Sequence, residues 1–181
     1  LIQGESGVNP AAPDYIHAVR KLCNEHGILF IDDEIQTGVG RTGKMFCYEH
    51  YGVYPDIMTL AKGLAGGVPI GATLCSDEVA SGFHFGDHGS TFGGNPIACA
   101  GGNVVVSRVS SPEFLAEVQK KSEYIFDKVS KMKGVASVTG LGLMIGIELT
   151  EKKATDVVKA ALDKGLLLLT AKTKVRLLPP L

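Results

Sequence analysis

Two residues carry the most readable chemistry in this chain, an acid and an amine. Asp33 stands in Ile28-Leu29-Phe30-Ile31-Asp32-Asp33-Glu34-Ile35-Gln36, an apolar run that ends in acids, and Lys62 follows 29 residues later in Thr59-Leu60-Ala61-Lys62-Gly63. A carboxylate at the rim of a site is costly to desolvate unless a cation meets it. A protonated pyridine nitrogen is one such cation. A lysine among apolar and glycine neighbours has little to pair with locally, and a desolvated amine is a nucleophile that forms Schiff bases with aldehydes. Together the two predict chemistry on a cofactor that acts as an electron sink. The plainer alternatives are acids that solvate a strand end and a lysine that snorkels to water.

The elements around these residues must place them at one rim. Four apolar residues after Gly27 predict a strand covered on both faces, as in a parallel α/β sheet, with ligands outside the carboxyl ends of its strands. A helix is predicted before it from Pro13 to His26, with proline near the start and Gly27 just past the end. After it come a glycine-rich loop (Gly38 to Lys44), a helical turn around Phe46 to Tyr51, strands over Asp56 to Leu60 and Ile70 to Cys75, and a short helix from Asp77 to Phe83. His84 to Asn95 reads as a loop, and Pro96 to Val109 as a small-residue helix. Ser111 then caps an amphipathic helix that ends at Gly134. Strands near Val135 to Thr139 and Met144 to Leu149, a helix from Glu151 to Lys164, and strands at Leu166 to Thr170 and Lys174 to Leu178 complete the pattern. The order shifts from α/β to antiparallel α+β near residue 110, which predicts two domains, 1–110 and 111–181.

With 181 residues, 45% of them hydrophobic and 20% charged, the chain has the composition of a soluble globular protein. A net charge of -1 offers neither a basic face for nucleic acid nor a polybasic patch for a membrane. No apolar run reaches the roughly 20 residues of a membrane span. Cys23, Cys47, Cys75 and Cys99 form no CxxC pair, so buried thiols in a reducing cytoplasm are expected rather than a zinc knuckle or a disulfide scaffold. The opening residues read as a strand already under way, which suggests an internal segment of a longer protein.

Two further motifs carry less. Gly38, Gly40 and Gly43 form GxGxxG after a strand and nearly form GxxxxGK, but Met45 stands where Ser or Thr would hold magnesium. Asp33 and Glu34 would repel a pyrophosphate there, and no long helix follows before Pro55, so a tight loop is the better reading. His84, Asp87 and His88 have ligand-like spacing, yet no further ligand lies close in sequence, and no metal is expected.

Taken together, several segments resemble a known family. These are Gln3-Gly4-Glu5, Asp33-Glu34-Ile35-Gln36-Thr37-Gly38, Gly40-Arg41-Thr42-Gly43, Pro55-Asp56-Ile57, Ala61-Lys62-Gly63, His88 to Pro96, Gly140 to Met144 and Val175 to Leu181. In that order they are similar to the class III pyridoxal-phosphate aminotransferases. The resemblance implies an α/β fold, PLP-dependent transferase fold type I (aspartate aminotransferase-like), with a mixed, mostly parallel sheet in the large domain and a C-terminal α+β small domain. An N-terminal part, absent from this segment, would supply the main phosphate-cradling loop.

The same resemblance implies roles. Lys62 would hold pyridoxal 5'-phosphate covalently and later move the proton, with Asp33 on the pyridine nitrogen, Gln36 on the phenolic oxygen and Ile35 on one ring face. Thr91 would reach the phosphate of a second subunit's cofactor, so a homodimer is expected, with Ser90 beside the substrate there. Arg176 would clamp a substrate carboxylate, and Glu5 would steer Arg176 between half-reactions. The implied reaction moves the distal amine of N-acetylornithine or ornithine to 2-oxoglutarate, in arginine biosynthesis, in the cytoplasm. Alternatives are a 4-aminobutyrate-type aminotransferase and a catalytically silent binding or assembly segment.

Overall fold

A computed structural model describes residues 1–181. Strands β1 (Ile2–Gln3) and β2 (Asn9–Pro10) pair antiparallel. Helix α1 (Pro13–His26) has the predicted bounds for the predicted reasons. Proline fills its first turn, and Gly27, at φ 63°, turns left-handed so that its N–H bonds the carbonyl of Cys23. Ile16 and Cys23 form its buried face.

Strand β3 (Ile31–Asp33) runs parallel to β4 (Ile57–Leu60), and β5 (Ala72–Cys75) runs antiparallel to β4, in the order β3-β4-β5. The expected double-sided burial of this strand is not found. Phe30, Asp32 and Glu34 point inward, while Leu29 is 50% and Ile31 58% exposed. The two-residue period of a strand sends alternate side chains to opposite faces, and within this chain one of those faces is covered. Pairing begins where the carbonyl of Phe30 accepts from the N–H groups of Asp56 and Ile57, so Ile28 and Leu29 stay outside the ladder. A 3-10 turn follows each parallel strand, over Cys47–His50 and Lys62–Ala65.

Helix α2 (Asp77–Ala80) is shorter than its sequence pattern, and α3 (Pro96–Val109) matches it. Asn95 caps α3 by accepting from the N–H of Ala98 at 3.0 Å. Ser111 caps α4 (Pro112–Ser130) in the same way, from Phe114 at 3.2 Å. The remaining chain folds as β6 (Val135–Leu141), β7 (Met144–Leu149), α5 (Ala154–Leu162), β8 (Leu169–Ala171) and β9 (Lys174–Leu177). Its four strands form an antiparallel sheet ordered β6-β7-β9-β8. Strand β8 starts later than the leucine run suggested, because Gly165 turns the chain and Leu166 still bonds back to the carbonyl of Ala161.

Strand β7 ties the parts together. Met144 packs with Ile2, Val8, Ile16 and Phe30, whereas Ile145 and Ile147 pack with Ala154 and Val175. Each such side chain contributes about 1.5–3 kcal/mol by leaving water. A third cluster of Val39, Met58, Leu60, Leu64 and Val109 joins β4 to the end of α3. The thiols divide evenly, against the expectation that all are buried: Cys23 and Cys47 lie inside, Cys75 and Cys99 outside. No helix is long and apolar enough to cross a membrane.

Candidate active site

Because β3 and β4 are parallel, their carboxyl ends share one edge of the sheet, the place where such sheets bind ligands. The register sets Asp33 opposite Thr59, so Lys62 emerges three residues beyond that level. Between them the chain makes a tight turn with an acid at its centre. Glu34 is 1% exposed, and its carboxylate accepts from Thr37 Oγ1 at 2.5 Å and from the N–H of Tyr48 at 2.8 Å. Its carbonyl accepts from Gly38 at 2.9 Å. These bonds fix the turn that presents Ile35 and Gln36. Sequence reasoning gave Glu34 no role, although Thr three residues after an acid is a local hydrogen-bonding signal.

The three consecutive acids therefore have different surroundings. Asp33 is exposed and accepts from the N–H of Ile35 at 2.9 Å. Asp32 turns inward, where burial first and the neighbouring Glu34 carboxylate second push its carboxyl up to about 7.

A cleft of about 430 Å³ opens beside this edge and brings together Glu5, Ile35, Gln36, Lys62 and Arg176. Lys62 is exposed in it rather than enclosed by its apolar neighbours, because Leu64 and Ala65 turn into the core while Lys62 faces out. Its backbone is left-handed, at φ 45°, a conformation that costs a non-glycine residue about 1–2 kcal/mol and that gathers at functional sites. Arg176, on β9, is buried, and its Nη1 donates to Glu5 Oε1 at 2.5 Å. That hydrogen bond and the guanidinium charge hold the exposed Glu5 carboxyl below the usual carboxylate range.

Two buried polar atoms at the cleft have no protein partner, Gln36 Oε1 and Arg176 Nε. Gly4 makes the space for Gln36, since a Cβ there would lie 2.1 Å from Gln36 Oε1. The set comprises an amine, an amide with an unsatisfied oxygen, an apolar wall and a guanidinium already paired with a carboxylate. It can receive a flat polar ring at one end and a carboxylate at the other.

Ser90 and Thr91 are not brought into the cleft. Both lie in an exposed loop, where Ser90 Oγ accepts from the N–H of Gly93 at 3.0 Å. His84 and Asp87 pair locally and His88 turns to the ring of Phe83, so the three do not converge.

The glycine loop at 38–43 packs against distant parts of the chain. Its Gly43 carbonyl accepts from Gln119 Nε2 of α4 at 3.0 Å, and Gly40 approaches Val109 and Leu181. Arg41, half-buried on the cleft wall, donates from Nη1 to the carbonyls of Pro179 at 2.6 Å and Leu143 at 3.2 Å. Burial lowers its pKa from the ordinary arginine value.

Against known proteins, the aminotransferase class-III family matches residues 1–181. The acetylornithine aminotransferase of Caldanaerobacter subterraneus subsp. tengcongensis is 52% identical over all of this chain and 47% of its own length. The N-acetylornithine aminotransferase of Stenotrophomonas maltophilia K279a superposes with a TM-score of 0.87 at 38% identity, over 98% of this chain and 48% of that one. For the ornithine aminotransferase of Toxoplasma gondii ME49 the TM-score is 0.90 at 34% identity, over 99% and 45%. The chain thus spans about half the length of the curated relatives it matches. Fold, sequence and family agree from one end of the chain to the other, and it belongs to the class III aminotransferases.

Proposed function

We infer that the whole protein is a pyridoxal-phosphate-dependent aminotransferase that moves the distal amine of N-acetylornithine, or of ornithine, to 2-oxoglutarate in arginine biosynthesis. One observation carries this reading: Lys62, Gln36, Ile35, Glu5 and Arg176, which come from four separate stretches of sequence, line a single cleft. The cofactor fits on the chain's own terms, since Gln36 Oε1 is a buried polar atom left open at the cleft wall and Gly4 keeps the space beside it. When bound, pyridoxal phosphate supplies an aldehyde for the substrate amine and a protonated ring that accepts electrons from the substrate carbon.

In this reading the chain's residues do the following. Asp33, exposed at the strand end, keeps the ring nitrogen protonated. Ile35 and Gln36, on the cleft wall, would hold the ring, Ile35 by apolar contact and Gln36 by a hydrogen bond. Lys62 would hold the cofactor through its amine and would take and return the substrate proton as a general base, a role worth about 10²- to 10⁴-fold. Arg176 receives a substrate carboxylate on its planar fork, and Glu5 occupies that fork when no carboxylate is present. Ser90 and Thr91 serve the cleft of a second copy, a role compatible with their exposed loop, so the working unit is a homodimer. Residues 1–110 belong to the large cofactor-binding domain and 111–181 to the small one, in keeping with three sheets that each draw strands from one side of that boundary. The location is cytoplasmic.

The test is a visible absorbance spectrum of the full-length protein with pyridoxal phosphate, before and after N-acetylornithine. A cofactor band that bleaches with this amine supports the reading. A band that bleaches with 4-aminobutyrate instead replaces the substrate. No band at all sinks the reading.

A further inference from the structure

We propose that Arg41 is a positioning residue that sets the span between Lys62 and Arg176, and so selects substrates by the distance between their reacting amine and their carboxylate. The inference rests on the aminotransferase reading above. Its ground is a clasp at the cleft wall.

One guanidinium nitrogen of Arg41 donates to the carbonyls of Pro179 and Leu143, at 2.6 and 3.2 Å. The carbonyl of Arg41 in turn accepts from the N–H of Leu143 at 2.9 Å. Arg41 thus joins the glycine loop, the turn between β6 and β7, and the tail that follows β9. Pro179 lies three residues beyond Arg176, and the tail leucines Leu178 and Leu181 line the same cleft as Lys62. The turn between β6 and β7 is seated as firmly. Gly142, at φ 57°, sits so near the loop backbone that a Cβ would lie 2.3 Å from the carbonyl carbon of Thr42.

Strand β9 is held on both sides, by β7 through Arg176 with Gly146 and by β8 through Arg176 with Leu169, so Arg176 is the fixed end of the span and the segment beyond it is the adjustable wall. Beyond Leu177 no ladder continues, and the carbonyl of Pro179 is held by Arg41 alone among side chains. Freed from Arg41, the tail would have no polar tie to the loop, and the wall between the amine and the carboxylate clamp would loosen. A lysine at 41 keeps the charge but loses the planar fork.

The test compares full-length wild type, R41A and R41K in two readouts. The first is kcat and KM for unbranched amino donors whose amine and carboxylate are separated by three, four and five methylenes. The second is hydrogen exchange at the amides of Leu178 and Leu181 in the protein without cofactor. Expected for R41A are a KM for the best donor raised about tenfold, a kcat within about threefold of wild type, and a smaller spread of kcat/KM across the series. Faster exchange at both leucines accompanies these changes, and R41K falls between. Unchanged exchange together with an unchanged spread in R41A overturns the proposal, as does a loss confined to kcat. If R41A does not fold, R41K decides alone: a reduced spread with faster exchange supports the clasp, and wild-type values overturn it. If wild type transfers no amine, the aminotransferase reading fails. Exchange then still judges the clasp, and the selection proposal falls with the reading.

Discussion

Arg176 Nη1 donates to Glu5 Oε1 at 2.5 Å, across 171 residues of sequence, at the mouth of the cleft. The bond joins a buried cation to an exposed acid, with side chains 8% and 71% accessible. Glu5 can therefore swing into water while Arg176 stays fixed. Replacing Glu5 by Gln removes the competing charge and should tighten binding of a plain dicarboxylate such as glutarate by about tenfold, measured by calorimetry on the full-length protein.

The same pair sets a pH dependence. The folded carboxyl of Glu5 lies below its ordinary value of 4.5. Its contact with Arg176 is therefore complete above that value and is lost as pH falls through the lower, folded one. Below that point Arg176 is free, so the thermal stabilisation given by added chloride should grow in wild type as pH falls through that range and stay level in E5Q, where no acid competes.

The chemical role proposed for Lys62 and its left-handed backbone are separated by two substitutions. Both K62A and K62G should lose turnover by at least about 10²-fold in the intact protein, since neither has an amine. Glycine accepts the left-handed φ of 45° without strain, so K62G should unfold at a higher urea midpoint than K62A, by the equivalent of about 1 kcal/mol. Equal midpoints would show that the backbone there relaxes once the side chain is gone.

Asp32 offers the opposite sign from Glu5. Its folded carboxyl is raised from 3.8 to about 7, by burial first and by Glu34 second. The neutral form is the one the fold prefers, so its contribution is full below about 3.8 and declines as pH rises towards 7. D32N cannot ionise. Its melting temperature relative to wild type should climb steadily across that interval, while D33N, altered at the exposed acid, should follow wild type in stability and bind the cofactor more weakly.

Gly142→Ala tests the seat of the turn between β6 and β7. The added methyl meets backbone at 2.3 Å with φ at 57°, and backbone cannot step aside as a flexible side chain can. A loss of about 2 kcal/mol or more in urea unfolding is expected.

How much of this was legible in the sequence depends on whether the cause was local. The bounds of α1 and the start of α4 were readable because Pro13, Gly27 and Ser111 act within a turn of their own positions. The run Ile28 to Ile31 misled because an apolar stretch does not state which faces of its strand are covered, and within this chain one is. Asp33 and Lys62 were singled out by their local setting and Gln36 and Arg176 by motif resemblance; of these, Lys62, Gln36 and Arg176 line the one cleft. Arg41 was passed over in a quoted motif because its partner Pro179 lies 138 residues away, whereas Glu34 had a local signal in Thr37 and only its second partner, Tyr48, lies 14 residues away. Ser90 and Thr91 stand apart from the cleft, in an exposed loop whose place no local pattern states.

The glycine loop has an evolutionary consequence. Gly40, at φ 80°, leaves so little room that a Cβ would come within 2.4 Å of Val109 and 3.4 Å of Leu181. Positions 40, 109 and 181 therefore share one small volume, and a larger residue at any of them is tolerated only if another shrinks. Effects of substitution there will not add. Among homologues these three positions should covary as a unit, and a mutational library that samples them one at a time will score as forbidden many combinations that fold.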